Sequence, residues 1–160
     1  MSMNSLVTNG YRVFTNVANR LQSPFLLAVR LYWGWQFAQN GWGKLHNLAH
    51  VTEFFASLGI PFPHLNAVFV SSLECVGGVL LALGLGSRLI SLLLACDMFV
   101  AYVTAGRDAL LAVFSDPGKF YNADPYTFLF ASLMILIFGP GLFSLDALIE
   151  KRRGVTGAAA

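Results

Sequence analysis

Charged side chains are scarce in this chain. They make up 11% of its 160 residues and leave a formal net charge of +2 at pH 7. A soluble domain of this size covers its surface with about 25% charged residues, so the composition argues against a wholly water-soluble globule. Cysteine is nearly absent, and Cys75 and Cys96 both lie in apolar stretches, which argues against a disulfide framework, a CxxC redox pair or a zinc knot. The basic residues are too few and too scattered to form a nucleic-acid face, so no nucleic-acid partner is expected. Polar and strictly periodic sequence is too sparse for disorder, collagen or coiled coil. There is no internal repeat, and no low-complexity segment beyond the short alanine tail.

Apolar residues are plentiful, at 56%, and the mean hydropathy is +0.64. Four stretches match the roughly 20 helical residues needed to cross a hydrocarbon core about 30 Å thick. They run over about 24–43, 65–85, 88–105 and 125–143. None shows the polar stripe of a water-facing helix. Ser23 is a plausible N-cap for the first, with Pro24 at the first helical position, where its missing N–H costs nothing. Between spans one and two, Leu48, Val51, Phe54, Phe55 and Leu58 recur at helical spacing before Gly59-Ile60-Pro61-Phe62-Pro63. That segment suits a helix lying in the membrane interface. The predicted fold is an all-α transmembrane four-helix bundle with an interfacial helix between spans one and two. Residues 1–23 form a cytoplasmic N-terminal segment, 24–148 the membrane domain and 149–160 a cytoplasmic tail.

The connections and charges set an orientation. Gly84, Gly86 and Ser87 form a turn so short that spans two and three make an antiparallel hairpin. From Arg107 to Asp124 the sequence is mixed, with a turn at Asp116-Pro117-Gly118 and interfacial aromatics at Phe120-Tyr121. Arg12, Arg20, Arg88, Lys151, Arg152 and Arg153 fall on one side of the membrane, and Lys44, Arg107 and Lys119 on the other. The positive-inside bias then places both termini in the cytoplasm. The segment before Arg20 lacks the apolar core and cleavage site of a signal peptide, so span one is expected to stay as an anchor.

Chemistry is expected at the ionisable groups within or beside the spans: Arg30, Lys44, Glu74 and Asp97. Each costs about 2.5–3.5 kcal/mol or more if it faces lipid at mid-depth, so each is expected to turn inward and find a partner. At 1.5 Å per residue, Arg30 lies roughly 9 Å and Asp97 roughly 13 Å from the cytoplasmic ends of their spans, with Glu74 roughly 18 Å from its own. An arginine reaching upward would meet Asp97 and Glu74 in a buried Arg–carboxylate cluster. Glu74 shares a helical stripe with Ser71, Gly77, Gly78 and Ala82, and Arg30 shares one with Gly34, Ala38 and Gly41. Small residues so spaced let helices approach closely in lipid. Trp33, Gln36, Asn40 and Gly78 are the expected pocket-lining residues, and Trp33, Trp35 and Trp42 make span one rich in aromatics.

Two readings of this cluster stand side by side. It is a polar pocket that binds a small amphipathic ligand or relays protons, with Glu74 or Asp97 as the titrating group, or it is glue that fixes helix register. Lys44 reads as a residue snorkelling to the interface. His46, His50 and His64 read as interfacial histidines: His46 and His50 have the spacing of two metal ligands on one helix face, but a third is missing. The two cysteines read as small packing residues. Arg107 with Asp108, and Asp116 with Lys119, read as solvated loop charges. Beyond Gly139-Pro140-Gly141, Ser144 and Asp146 read as the cap and first turn of a short helix at the membrane surface, near Arg20 or Arg30.

The chain resembles the DoxX family. The resemblance rests on Arg30, Gly34, Phe37 and Gly41-Trp42-Gly43-Lys44-Leu45 in span one, and on Glu74 before Gly77-Gly78 in span two. Phe138-Gly139-Pro140-Gly141-Leu142-Phe143-Ser144-Leu145-Asp146 completes it, so that it covers roughly Pro24 to Leu148. It implies a bacterial inner (plasma) membrane protein with four helices, and Arg30, Lys44, Glu74 and Asp146 match the family pattern. Many relatives carry a histidine toward the outer end of span three, whereas here Ala101 to Arg107 contains none. Some relatives are small subunits in thiosulfate:quinone oxidoreduction, and others belong to membrane oxidoreductase complexes.

The resemblance therefore implies a subunit of a quinone-linked membrane complex, with redox partner subunits and a quinone as the ligand. Homo-oligomerisation is compatible with it. No metal, flavin or haem motif is present, so the chain is at most a subunit of an oxidoreductase rather than an enzyme by itself. The alternative is a non-catalytic assembly partner, or a binder of lipid or cargo, that docks through the interfacial segment. A transporter is disfavoured, because neither an inverted repeat nor a pair of broken helices is visible.

Overall fold

The computed structural model describes residues 3–157, with side chains from 10 to 154. Residues 1, 2 and 158–160, at the extremes of the expected N-terminal segment and tail, lie outside the described residues. Eight helices follow in order: α1 (Met3–His46), α2 (Leu48–Ser57), α3 (Pro63–Leu83), α4 (Ser87–Thr104), α5 (Arg107–Leu111), α6 (Pro117–Tyr121), α7 (Pro125–Phe138) and α8 (Leu145–Gly157). No strand occurs among the described residues. Helices α3 and α4 are long and apolar enough to cross a membrane, while α7 is apolar but only 14 residues long.

Two element boundaries differ from the sequence expectation. Helix α1 does not start at Ser23 but runs unbroken from Met3 through Pro24. Proline removes one backbone donor there without stopping the helix. Ser23 is not an N-cap; its Oγ accepts from the Leu142 N–H at 3.3 Å. At the other end of the chain, α7 stops at Phe138, because Gly139 takes φ 79° and ψ −177°, a conformation open to glycine, and Pro140 follows. The last residues of the expected fourth span are therefore non-helical. Two of their carbonyls are satisfied by side chains: Ser144 Oγ donates to the Gly141 carbonyl at 2.8 Å, and Arg30 donates to the Phe143 carbonyl.

Helix α1 lies along α3, α4 along α7, and the two pairs meet through α3 with α4 and α1 with α7. The α1–α3 contact is the closest, and glycine makes it possible. A Cβ on Gly34 would stand 2.7 Å from the Gly78 carbonyl oxygen, and one on Gly41 would stand 2.6 Å from that of Ser71. The two backbones touch, as expected from the small-residue stripes. Gly77 instead faces Ile90 and Leu94 of α4. Leu26, Phe37, Leu81, Leu94, Met98 and Ile135 form the buried core between the helices.

Outward-facing residues are large and apolar, including Leu31, Trp35, Phe69, Val76, Phe99 and Ile137. So much exposed apolar surface suits lipid rather than water. Helix α2 packs on α3, at the same end of the molecule as α5 and α6. The first turns of α1 and the start of α8 lie toward the opposite end.

Candidate functional site

Arg30, Lys44, Glu74, Asp97 and Asp146 separate into two groups at opposite ends of the helices. The expected cluster of Arg30 with Glu74 or Asp97 does not form. Arg30 is fully buried, yet its guanidinium turns toward the chain-end side, where Nη1 donates to the Ala82 carbonyl at 3.4 Å and Nη2 to that of Phe143. Depth reckoned along the helix axis misses this, because an arginine can reach a full turn in either direction. The non-helical carbonyls after α7 offered the better partners.

Asp146 completes this end as a cap, but not of its own helix. Its Oδ1 accepts from Gly86 N–H at 2.7 Å and its Oδ2 from Ser87 N–H at 2.8 Å, so it caps α4 from a distance in sequence. Its own N–H donates to the Gly84 carbonyl at 2.9 Å. Burial pushes the Asp146 carboxyl up, but the bonds from Ser87 and Gly86 and the nearby Arg30 charge together hold it below the usual carboxylate range. Ser144 does cap its own helix, accepting from Ala147 N–H at 3.1 Å. Gly84, at φ 72°, lies so close to Arg30 Nη1 that no side chain fits there. This end is a structural clasp.

The other end carries the candidate site. Lys44 does not simply snorkel: its Nζ donates to Glu74 Oε1 at 2.6 Å, with Glu74 only 2% exposed. The close approach of α1 and α3 at Gly41 brings these two side chains together. Asp97, from α4, stands within electrostatic range of both. Glu74 Oε2 and Asp97 Oδ2 are both buried. Glu74 pairs with the ammonium, and Asp97 lies close enough to Glu74 for the two carboxyls to interact directly.

Two cavities flank this group. The larger, of about 560 Å³, is lined by Phe37, Asn40, Lys44, Glu74, Met98 and Phe128, with Asp108, Lys119 and Asp124 at its rim. The smaller, of about 380 Å³, lies between α2, α3 and α4 and also reaches Lys44, Glu74 and Asp97. Both fall in the lower part of the range of small-molecule sites, about 300–1,000 Å³. Of the four expected lining residues only Asn40 lines either one. Trp33 packs edge-on to Phe128 at 5.3 Å, Gly78 is sealed against α1, and Gln36 is half-buried away from both cavities.

Sequence reasoning missed several contributors. Phe54 and Met98 line both cavities; the helical spacing of the α2 segment marks an interfacial face and does not single out Phe54 as a site residue. Tyr102 is buried, donates to the Phe120 carbonyl at 2.8 Å and stacks on its ring at 5.1 Å, which ties α4 to α6. Nothing in the sequence signalled that pairing. Of the histidines, His50 lines the smaller cavity, and His46 bonds through Nδ1 to the Trp42 carbonyl at 2.9 Å.

The DoxX family profile matches residues 25–107, just over half of the chain, and takes in Arg30, Lys44, Glu74 and Asp97. The chain belongs to the DoxX family. This DoxX chain is 28% identical over 125 residues to a Bacillus subtilis (strain 168) protein named "Putative oxidoreductase CatD". The similarity covers 78% of this chain and 87% of that protein. No solved structure matches the chain. Family membership and the two apolar helices place it in a lipid bilayer. The Phe138–Asp146 block of the clasp lies beyond the matched profile.

Proposed function

We propose that this DoxX protein is a four-span subunit of a quinone-linked oxidoreductase complex in the bacterial plasma membrane, with both termini cytoplasmic. In this reading α1, α3, α4 and α7 with the segment after it cross the bilayer, and α2 lies in the outer interface. Residues 24–148 form the membrane domain, with 1–23 and 149–160 as cytoplasmic extensions. The ligand site is the group of Lys44, Glu74 and Asp97 at the outer end, and the clasp of Arg30 and Asp146 holds the helix ends that position it. The observation that carries the reading is the buried Glu74 carboxylate, paired with the Lys44 ammonium, where both residues line both cavities.

A quinone fits this donor set. A quinone carbonyl accepts a hydrogen bond, which Lys44 can donate. A hydroquinone hydroxyl donates one, which a carboxylate can accept. Phe37, Phe54, Phe128 and Met98 supply apolar and ring contacts around them. A bound quinone would supply the two-electron couple that no side chain here provides. The protein's own part is to bind and orient the head group and to exclude lipid from it. Electron transfer would fall to partner subunits.

The test is gentle co-purification with mass spectrometry of bound small molecules and partner proteins, for the wild type and Glu74→Gln. We expect near-stoichiometric quinone with the wild type, at least a tenfold loss in Glu74→Gln, and the same partner proteins in both. Wild-type protein free of quinone would sink the proposal, as would quinone retained in full by Glu74→Gln.

A further inference from the structure

The two cavities meet at one polar group, yet their walls differ. Lys44, Phe54, Glu74 and Met98 belong to both. Beyond them the larger cavity runs out to Asp108, Lys119 and Asp124, a charged rim on the loop of α5 and α6. The smaller is walled by Val51, Phe55, Leu58, Ile60, Val70 and Val100. Its few polar side chains beyond the shared pair are His50, Asn66, Asp97 and Thr104. Water is stabilised beside the charged rim, whereas in the apolar cavity it finds few partners.

Charge restricts the head group. The one ammonium is paired with Glu74 and has Asp97 as a second carboxyl within electrostatic range. That leaves no free cation for an anionic head. A neutral head that can both donate and accept suits an ammonium set beside carboxyls.

Resting on the ligand reading above, we propose that the site selects a neutral, single-headed amphiphile. Its head sits on Lys44 and Glu74, its linear apolar tail fills the smaller cavity between α2, α3 and α4, and the larger cavity stays with water. Isoprenoid quinones and uncharged single-chain lipids share this chemistry, whereas fatty acids and phospholipids do not.

The experiment uses the full chain in nanodiscs, with binding referenced to empty nanodiscs. The probes are decylubiquinone, its tailless head 2,3-dimethoxy-5-methyl-1,4-benzoquinone, 1-decanol and decanoate. We expect decylubiquinone to bind the wild type at least about tenfold more tightly than the tailless head, since a tail enclosed by close-packed walls makes denser contacts than it does in fluid lipid. Val100→Trp and Thr104→Trp fill the smaller cavity only, and each should bring decylubiquinone down to the affinity of the tailless head without changing the latter. Ala123→Trp lines the larger cavity only and should preserve the tail's advantage.

Circular dichroism and melting temperature select the variants that fold. Decanol should displace decylubiquinone weakly, as a tail with a plain hydroxyl head, and decanoate not at all. Decanol competing as well as decylubiquinone would assign the site to an uncharged lipid. Competition by decanoate, or loss of the tail's advantage in Ala123→Trp rather than in the α4 variants, would overturn the proposal. Wild-type protein that binds both quinones equally would remove the tail slot and leave the ligand reading standing. Wild-type protein that binds neither would remove both.

Discussion

Asp146 holds the first turn of α4 by two backbone N–H groups, and its carboxyl sits below the usual range because those bonds favour the ionised form. A carboxyl held low stabilises the fold above its unfolded-state value, near 4, and that stability is lost as pH falls through the lower folded value. Asp146→Asn should therefore lower stability by about 1–2 kcal/mol at neutral pH. The gap from the wild type should begin to close only below about pH 4. Melting curves in detergent at a series of pH values check this; a gap that instead closes between pH 5 and 7 would assign the effect to another group. Arg30 acts at the same end. Arg30→Ala leaves the Phe143 and Ala82 carbonyls without their buried donor and should cost about 1.5–3 kcal/mol. Arg30→Lys should recover only part of that, because an ammonium lacks the planar fork that reaches two carbonyls at once.

Between elements, the α1–α3 contact is set by glycines that touch backbone, so its tolerance to a single methyl is sharply uneven. Gly41→Ala places a Cβ against the backbone of Ser71 and Cys75, and neither helix can give way without parting from the other. We expect about 1–3 kcal/mol of destabilisation or more, together with weakened quinone retention, since the same contact brings Lys44 to Glu74. Gly43→Ala, two residues on, meets nothing within 4 Å and should match the wild type. Thermal melts of the two variants side by side decide it, and equal behaviour would mean that the helices are less closely packed than described.

For the molecule as a whole, the proposed topology puts α5 and α6 outside the cell and both chain ends inside. With Cys75 and Cys96 replaced by alanine, Phe114→Cys should react with a membrane-impermeant maleimide in intact cells, since Phe114 is 95% exposed on that loop. Gly154→Cys, in α8, should react only after the cells are permeabilised. The reverse pattern would invert the orientation and move the ligand site to the cytoplasmic face.

Composition and hydropathy by themselves determined that this is an all-helical membrane chain, because 11% charge cannot cover a water-soluble surface. The small-residue stripes on α1 and α3 were also legible, since close helix approach in lipid requires side chains that local sequence displays directly. Which charge meets which was not legible. Arg30 and Lys44 lie on one helix, and counting residues sent Arg30 to the carboxylates and Lys44 to the interface. The choice fell to groups far away in sequence. The Phe143 carbonyl, beyond the break at Gly139, and the Ala82 carbonyl at the end of α3 drew Arg30 one way, and the glycine contact at Gly41 delivered Lys44 to Glu74. The extent of α1, the capping of α4 by Asp146 and the two cavities likewise arise only when separate helices are brought together, because each depends on partners that no local pattern encodes.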